Sequence, residues 1–154
     1  MLGTIGESER METTVIADAV NLSSRLEGLT KKYGIPIAIS GESLERLSNP
    51  RLFRTRFIDK VQVKGKQQAV DVYEVYDGLS GRDLDLRERL QPHYDKGISF
   101  YYRRRFDRSR DQFRKALSVD ENDLASRIYY ERSLSFLKRP PGKEWTGVEV
   151  LDSK

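Results

Sequence analysis

Cysteine is absent from all 154 residues, so no disulfide framework, thiolate metal site or thiol redox chemistry is open to this chain. That absence suits a reducing compartment. Long apolar runs are missing as well: nothing approaches the roughly 18 consecutive apolar residues of a spanning helix, and the N-terminus lacks the basic and apolar regions of a signal peptide. A soluble, cytoplasmic chain without a membrane segment is therefore the expectation. Histidine occurs once, at His93. With no serine or cysteine nucleophile pattern near it, it reads as a packing residue at the start of a helix. Apolar material is scarce too. Hydrophobic residues make up 37% and charged residues 34%, with a mean hydropathy of −0.68, which leaves little for one large core. Two small packed units fit this balance better than one. The net charge of +4 is modest; a phosphate-bearing ligand would suit it without being required by it.

What is present falls into two compositional halves. Leu2 to Gly6 reads as the end of a strand and Thr13 to Ile16 as a short β-branched one. Asp18 is placed as an N-cap, so a helix should begin at Ala19. Leu22, Leu26 and Leu29 form its buried stripe, with Tyr33 near its end and Gly34 as the stop. Pro36 to Ser40 reads as a buried strand and Gly41 to Ser48 as a short helix that Asn49-Pro50 breaks. Phe53 to Val63 and Ala69 to Tyr76 alternate as the arms of a long hairpin around Lys64-Gly65-Lys66-Gln67-Gln68. The result is an α+β unit over residues 1–77.

A small, polar stretch over 78–82 reads as a linker, and everything over 83–139 as helix, before a C-terminal tail over 140–154. Tyr94, Gly97, Phe100 and Tyr101 suit one helix, Phe106, Phe113, Ala116 and Leu117 a second, and Leu124, Ile128, Tyr129 and Leu137 a third. Trp145 is expected to dock the tail onto a helix. The offsets of Gly97, Phe100, Ser109, Phe113 and Ala116 resemble a tetratricopeptide-type repeat, with Ser109 where alanine is usual and Glu121 where proline is. One such unit cannot stack on itself, so it should cap the first unit or a partner.

Candidate chemistry begins with Asn21 and Arg25, which project from one helix face beside the leucine stripe. A guanidinium held there can donate two hydrogen bonds to a phosphoryl group, and the adjacent amide can fix a sugar oxygen. Spacing alone also fits two solvated residues. The run Arg103-Arg104-Arg105, with Arg108, Arg110 and Arg114, is interrupted by Asp107 and Asp111. It reads as a solvated face with ion pairs, and no nucleic-acid-binding motif accompanies it. The Gly65 hairpin lacks the flanking glycines and strand-to-helix context of a Walker loop.

The segments Gly3-Thr4-Ile5-Gly6 and Arg10 to Glu27 (RMETTVIADAVNLSSRLE) are similar, nearly residue for residue, to the signature of class III adenylate and guanylate cyclases. The likeness continues through Tyr33 to Ser40 and on to Val63-Lys64-Gly65-Lys66. It implies the C-terminal half of such a catalytic domain: a partial ferredoxin-like sheet with flanking helices and a long β-hairpin, followed here by an all-α C-terminal tail. The implied reaction is attack of the ATP 3′-hydroxyl on the α-phosphate, with pyrophosphate leaving. Arg25 would stabilise charge on the α-phosphate, Asn21 would orient the ribose, Lys64 would hold the β- and γ-phosphates, and Thr14 would read the purine as adenine. Ala17 departs from the glycine usual in the family.

The family binds two Mg²⁺ or Mn²⁺ ions through aspartates in the N-terminal half of its domain, upstream of the segment matched here. Glu7, Glu9, Asp18 and Glu27 do not form a substitute cluster, so no metal ligand is assigned. The isolated chain is expected to be inactive until a homodimeric or complementary cyclase half closes over it. The alternative is a non-catalytic interaction module, against which the presence of Thr14, Asn21, Arg25 and Lys64 together argues.

Overall fold

The β-branched and aromatic alternation of Thr55 to Val63 and Val70 to Val75 builds the centre of a mixed four-stranded sheet, seen in a computed structural model that describes residues 22–63 and 66–152. Its strands are β1 (Ala38–Ser40), β2 (Thr55–Val63), β3 (Val70–Val75) and β4 (Glu149–Leu151), in the order β1-β3-β2-β4. β1 and β2 run antiparallel to β3, whereas β4 runs parallel to β2. The long hairpin expected from the sequence is thus the sheet's core.

The hairpin is not regular. Phe57 opposes Tyr73, but the next register pair is Asp59 with Val72, so β2 carries a bulge. Both Ile58 and Asp59 are consequently fully buried, where strict alternation would turn one of them outward.

The helices are α1 (described over 22–33), α2 (Gly41–Glu45), α3 (Gly81–Tyr102), α4 (Phe106–Val119) and α5 (Leu124–Lys138), with a 3₁₀ turn at Pro50–Leu52. α1 stops as the sequence predicts: Gly34 takes φ +62°, and a Cβ there would sit 3.0 Å from Leu124 Cδ1. The Ser40 hydroxyl accepts from the Ser43 amide at 3.1 Å and starts α2, which ends at Glu45, three residues short of the expected Ser48.

In α4, Phe106, Ser109, Phe113 and Ala116 are buried at spacings of three, four and three, the stripe that a 3.6-residue period dictates. Small residues let α3, α4 and α5 approach closely. A Cβ on Gly97 would lie 2.7 Å from the Phe113 ring, and Ser109 Oγ donates to the Gly97 carbonyl at 2.9 Å. Trp145 packs edge-on against Tyr101, Phe106 and Phe136, as expected for a docked tail.

One expectation is corrected. The C-terminal end is not all helical, because Glu149–Leu151 returns to the sheet as β4 and pairs with Val61–Val63. The outer edge of β2 would otherwise present unpaired amides and carbonyls, and the tail covers its Val61–Val63 end. The buried apolar cluster also runs across the 78–82 segment: Leu29, Tyr33, Ile58, Val61 and Val72 share it with Leu90, Tyr94, Phe113 and Tyr129. Among the described residues no helix is long and apolar enough to cross a membrane.

Candidate functional site

Of the four residues that the sequence nominates, Arg25 lies within the described part of the structure; Thr14, Asn21 and Lys64 lie outside it. α1 buries Leu29 against the core, which leaves Arg25 half-buried one turn earlier. Arg25 lines a shallow cleft of about 240 Å³. Ser24, Arg25, Gly28, Leu29 and Lys32 of α1 form one wall, and Leu151 and Asp152, at the end of β4, form the other. Gly28 leaves room, since a Cβ built on it would meet no atom within 4 Å. Arg25 and Lys32 stand two turns apart on this face, about 10 Å along the axis, so the cleft presents two cations. Lys32 Nζ is 3.8 Å from Glu149, and among the described residues nothing pairs with the Arg25 guanidinium. Leu151 is the register partner of Val63, so the second wall is fixed to the end of β2, next to Lys64 in sequence.

Apart from the cleft, the core holds two buried polar clusters that the sequence reading missed. The first joins the hairpin to the helices. Arg56 Nε donates to Glu74 at 2.7 Å across the β2–β3 pair, and its Nη1 donates to both Asp123 oxygens at 2.9 and 3.1 Å. Arg87 of α3 donates to both Glu74 oxygens at 2.6 and 2.9 Å. The Arg56 guanidinium also stacks 4.5 Å from the centre of the Tyr94 ring. Asp123 is the N-cap of α5, accepting from the Ser126 amide at 3.1 Å and hydroxyl at 2.5 Å. Burial pushes the Asp123 pKa up, but Arg56, Arg87 and the Ser126 hydroxyl outweigh it, and the carboxylate titrates below its ordinary value.

The second cluster centres on Asp59, the carboxylate that the bulge turns inward. It accepts from Tyr33 of α1, from Tyr102 of α3 at 3.2 Å and from Arg132 of α5 at 3.0 Å. Tyr129 Oη lies 3.1 Å from it while donating to the Ile58 carbonyl at 2.6 Å. Burial first, then the Asp59 charge, drive the Tyr33 and Tyr102 phenols well above the ordinary tyrosine value, and burial pushes Tyr101 up to about 12. All three stay neutral near neutral pH, and Tyr33 and Tyr102 donate to Asp59. A charged residue at a strand position that alternation assigns to the core was the available signal, at Arg56 and Glu74; the bulge hid Asp59.

These carboxylates are committed to arginine and tyrosine partners. Among the described residues no group of three or more His, Cys, Asp or Glu side chains converges as a metal site. The described carboxylates therefore do not fit the metal ions that the family resemblance implies. The basic run divides as follows: Arg110 and Arg114 pair with Asp111, Arg103 and Arg108 flank the Phe100 ring, and Arg104 donates to the Pro141 and Gly142 carbonyls.

No protein-family profile matches the chain, and no solved structure does. Among curated proteins it is similar to "Adenylate cyclase, terminal-differentiation specific" of Dictyostelium discoideum, 34% identical over 139 residues that cover 90% of this chain and 6% of that protein. It is 51% identical over 76 residues to "Adenylate cyclase" of Anabaena cylindrica, covering 49% of this chain and 15% of that one. It is 36% identical over 75 residues to "Adenylate cyclase 1" of Rhizobium meliloti, covering 49% and 11%. The chain thus spans only a small part of the length of these relatives. A match covering 90% of the chain takes in residues on both sides of the 78–82 segment wherever its ends fall.

Proposed function

We propose that this chain is a C-terminal portion of a class III adenylate cyclase, supplying phosphate- and base-recognition residues to a composite site. The observation that carries the reading is that proteins from three unlike organisms, each similar to this chain, all bear the name adenylate cyclase. The cleft beside Arg25 supports it, because a guanidinium with no partner among the described residues and a second cation two turns away suits a polyphosphate. On this reading β1, β2, β3 and α1 belong to half of a ferredoxin-like cyclase domain, residues 1–77, to whose sheet the C-terminal tail adds β4. Residues 83–139 are tetratricopeptide-like helices, a reading that the contact of Gly97 with Phe113 supports.

The 3′-oxygen of ATP bonds to the α-phosphorus while the bond to the bridging oxygen of pyrophosphate breaks. Arg25 meets the charge that grows on the α-phosphate, Asn21 orients the ribose, Lys64 neutralises the leaving pyrophosphate and Thr14 selects adenine. Mg²⁺ or Mn²⁺ is needed for such chemistry in the family, and its ligands come from a complementary half or a second copy of a longer chain.

The test is cyclic AMP production from ATP and Mn²⁺ after mixing this chain with a cyclase half that carries the metal aspartates. The mixture should be active and the chain alone inactive. Arg25→Ala should lower kcat by about 10²–10³, the usual loss for a transition-state donor. Full activity in that variant, or activity from the isolated chain, would refute the assignment.

A further inference from the structure

Both walls of the Arg25 cleft end on one side chain. Arg132 of α5 donates to the Tyr33 hydroxyl at 3.2 Å, which is the last turn of α1, and its Nη2 lies 3.4 Å from Glu149 of β4. Its Nη1 donates to Asp59 on β2 at 3.0 Å, so the brace is anchored in the floor of the sheet. The guanidinium also lies 5.1 Å from the centre of the Tyr129 ring on its own helix. Glu149 in turn is 3.8 Å from Lys32, one of the cleft's two cations.

We infer that Arg132 is a positioning residue: it clamps α1 to β4 and so sets where Arg25 stands relative to the end of β2. This rests on the cyclase reading for its catalytic consequence but not for its mechanical one. A planar guanidinium suits the task, since it alone can address three acceptors at fixed angles from a largely buried position. Burial disfavours its charge, yet Asp59 and the surrounding phenols outweigh burial and keep it cationic. Rate enhancement by a preorganised cation is sensitive to position, and a displacement near 1 Å can cost about 10²-fold. α1 is fastened to this cluster at Tyr33, two turns from Arg25 on the same helix.

The experiment combines Arg132→Met, Arg132→Lys, Tyr33→Phe and Glu149→Gln in the full chain, assayed with the metal-competent half. Arg132→Met should lower kcat by about 10- to 100-fold with KM for ATP little changed, because the nucleotide still binds but the transition state is met off-register. Arg132→Lys should recover part of that loss, keeping the charge toward Asp59 but not the fork. Amide exchange should accelerate across Leu26–Tyr33 and Glu149–Leu151 and stay slow in β3. Tyr33→Phe removes the hydroxyl that accepts from Arg132 and donates to Asp59, Glu149→Gln removes the charge that Arg132 meets on β4, and both nearly preserve volume and remain informative if Arg132→Met does not fold. Each should loosen its own wall only. Unchanged kcat and unchanged exchange in the folded variants would overturn the clamp. An active Arg25→Ala chain would sink the cyclase reading instead, and the exchange data would still decide the clamp.

Discussion

Ser109 illustrates what a single position can hold. The repeat-like offsets predict alanine there, and the hydroxyl looks like a departure until its partners are seen. Its Oγ donates to the Gly97 carbonyl at 2.9 Å and accepts from Ser133 Oγ at 3.2 Å, so it pins α3, α4 and α5 to one another without an unsatisfied group. Gly97 is bound by the same contact. Gly97→Ala would put a methyl 2.7 Å from Phe113 Cε2 and Cζ, and the ring is stacked on Tyr129 and cannot swing away freely. Overpacking of this kind costs about 1–3 kcal/mol. Thermal unfolding should show a Tm lower by about 2–4 °C for each kcal/mol.

Asp123 shows the opposite case, a residue that the sequence reading did not single out and that the structure makes the N-cap of α5. Its carboxylate is held below the ordinary aspartate value of 3.8. A depressed folded-state pKa gives stability that is present above the unfolded value and is lost as pH falls below it toward the folded value. Asp123→Asn keeps the N-cap geometry but leaves Arg56 short of a counter-charge. It should therefore be less stable at pH 7 by about 3–5 kcal/mol. Its loss of stability between about pH 5 and pH 2, followed by urea unfolding, should be shallower than that of the parent chain.

At the scale of elements, the legible parts were those with long or punctuated patterns. β2 and β3 announce themselves by alternation, α1 by its leucine stripe and Gly34, α4 by Phe106, Phe113 and Ala116 in phase, while Leu117, expected with them, is half-buried. The bulge was not legible, because a single extra residue changes the phase of a strand without changing its composition, and it is the bulge that delivers Asp59 to the helices. β4 was not legible either. Three residues carry no period, and what fixes them is distant: Val61–Val63 as ladder partners, and Lys32 and Arg132 as counter-charges for Glu149. The path of the tail is set earlier, where Arg104 takes φ +61°, lies over Trp145 and donates to the Pro141 and Gly142 carbonyls. Deleting residues 148–154 should leave the helices intact by circular dichroism. It should open the outer edge of β2, seen as faster amide exchange at Val61–Val63 and a greater tendency to aggregate.

For the whole molecule, composition argued for two small units, and the charged residues that suggested it turn out to be what joins the halves. Fully buried Arg56 and Glu74 on the hairpin face Arg87 and Asp123 on the helical side, and Asp59 faces Tyr102, Tyr129 and Arg132. A high charge fraction was read as surface because burial of a charge is costly unless it is paired, and pairing across 67 residues of sequence cannot be read from spacing. Cutting the chain after Asp77 would strand each half of these networks at an interface that also exposes Ile58, Val61 and Val72 on one side and Leu90, Tyr94 and Tyr129 on the other. Residues 1–77 alone should be insoluble or lack near-ultraviolet dichroism, and residues 78–154 should melt with low cooperativity. Co-expressing the two pieces should restore a soluble complex, because the partners recover their counter-charges at no new loop. If instead residues 1–77 fold alone and complement a metal-competent half as well as the full chain does, the helices are dispensable to the site, and the joined core is a matter of stability alone.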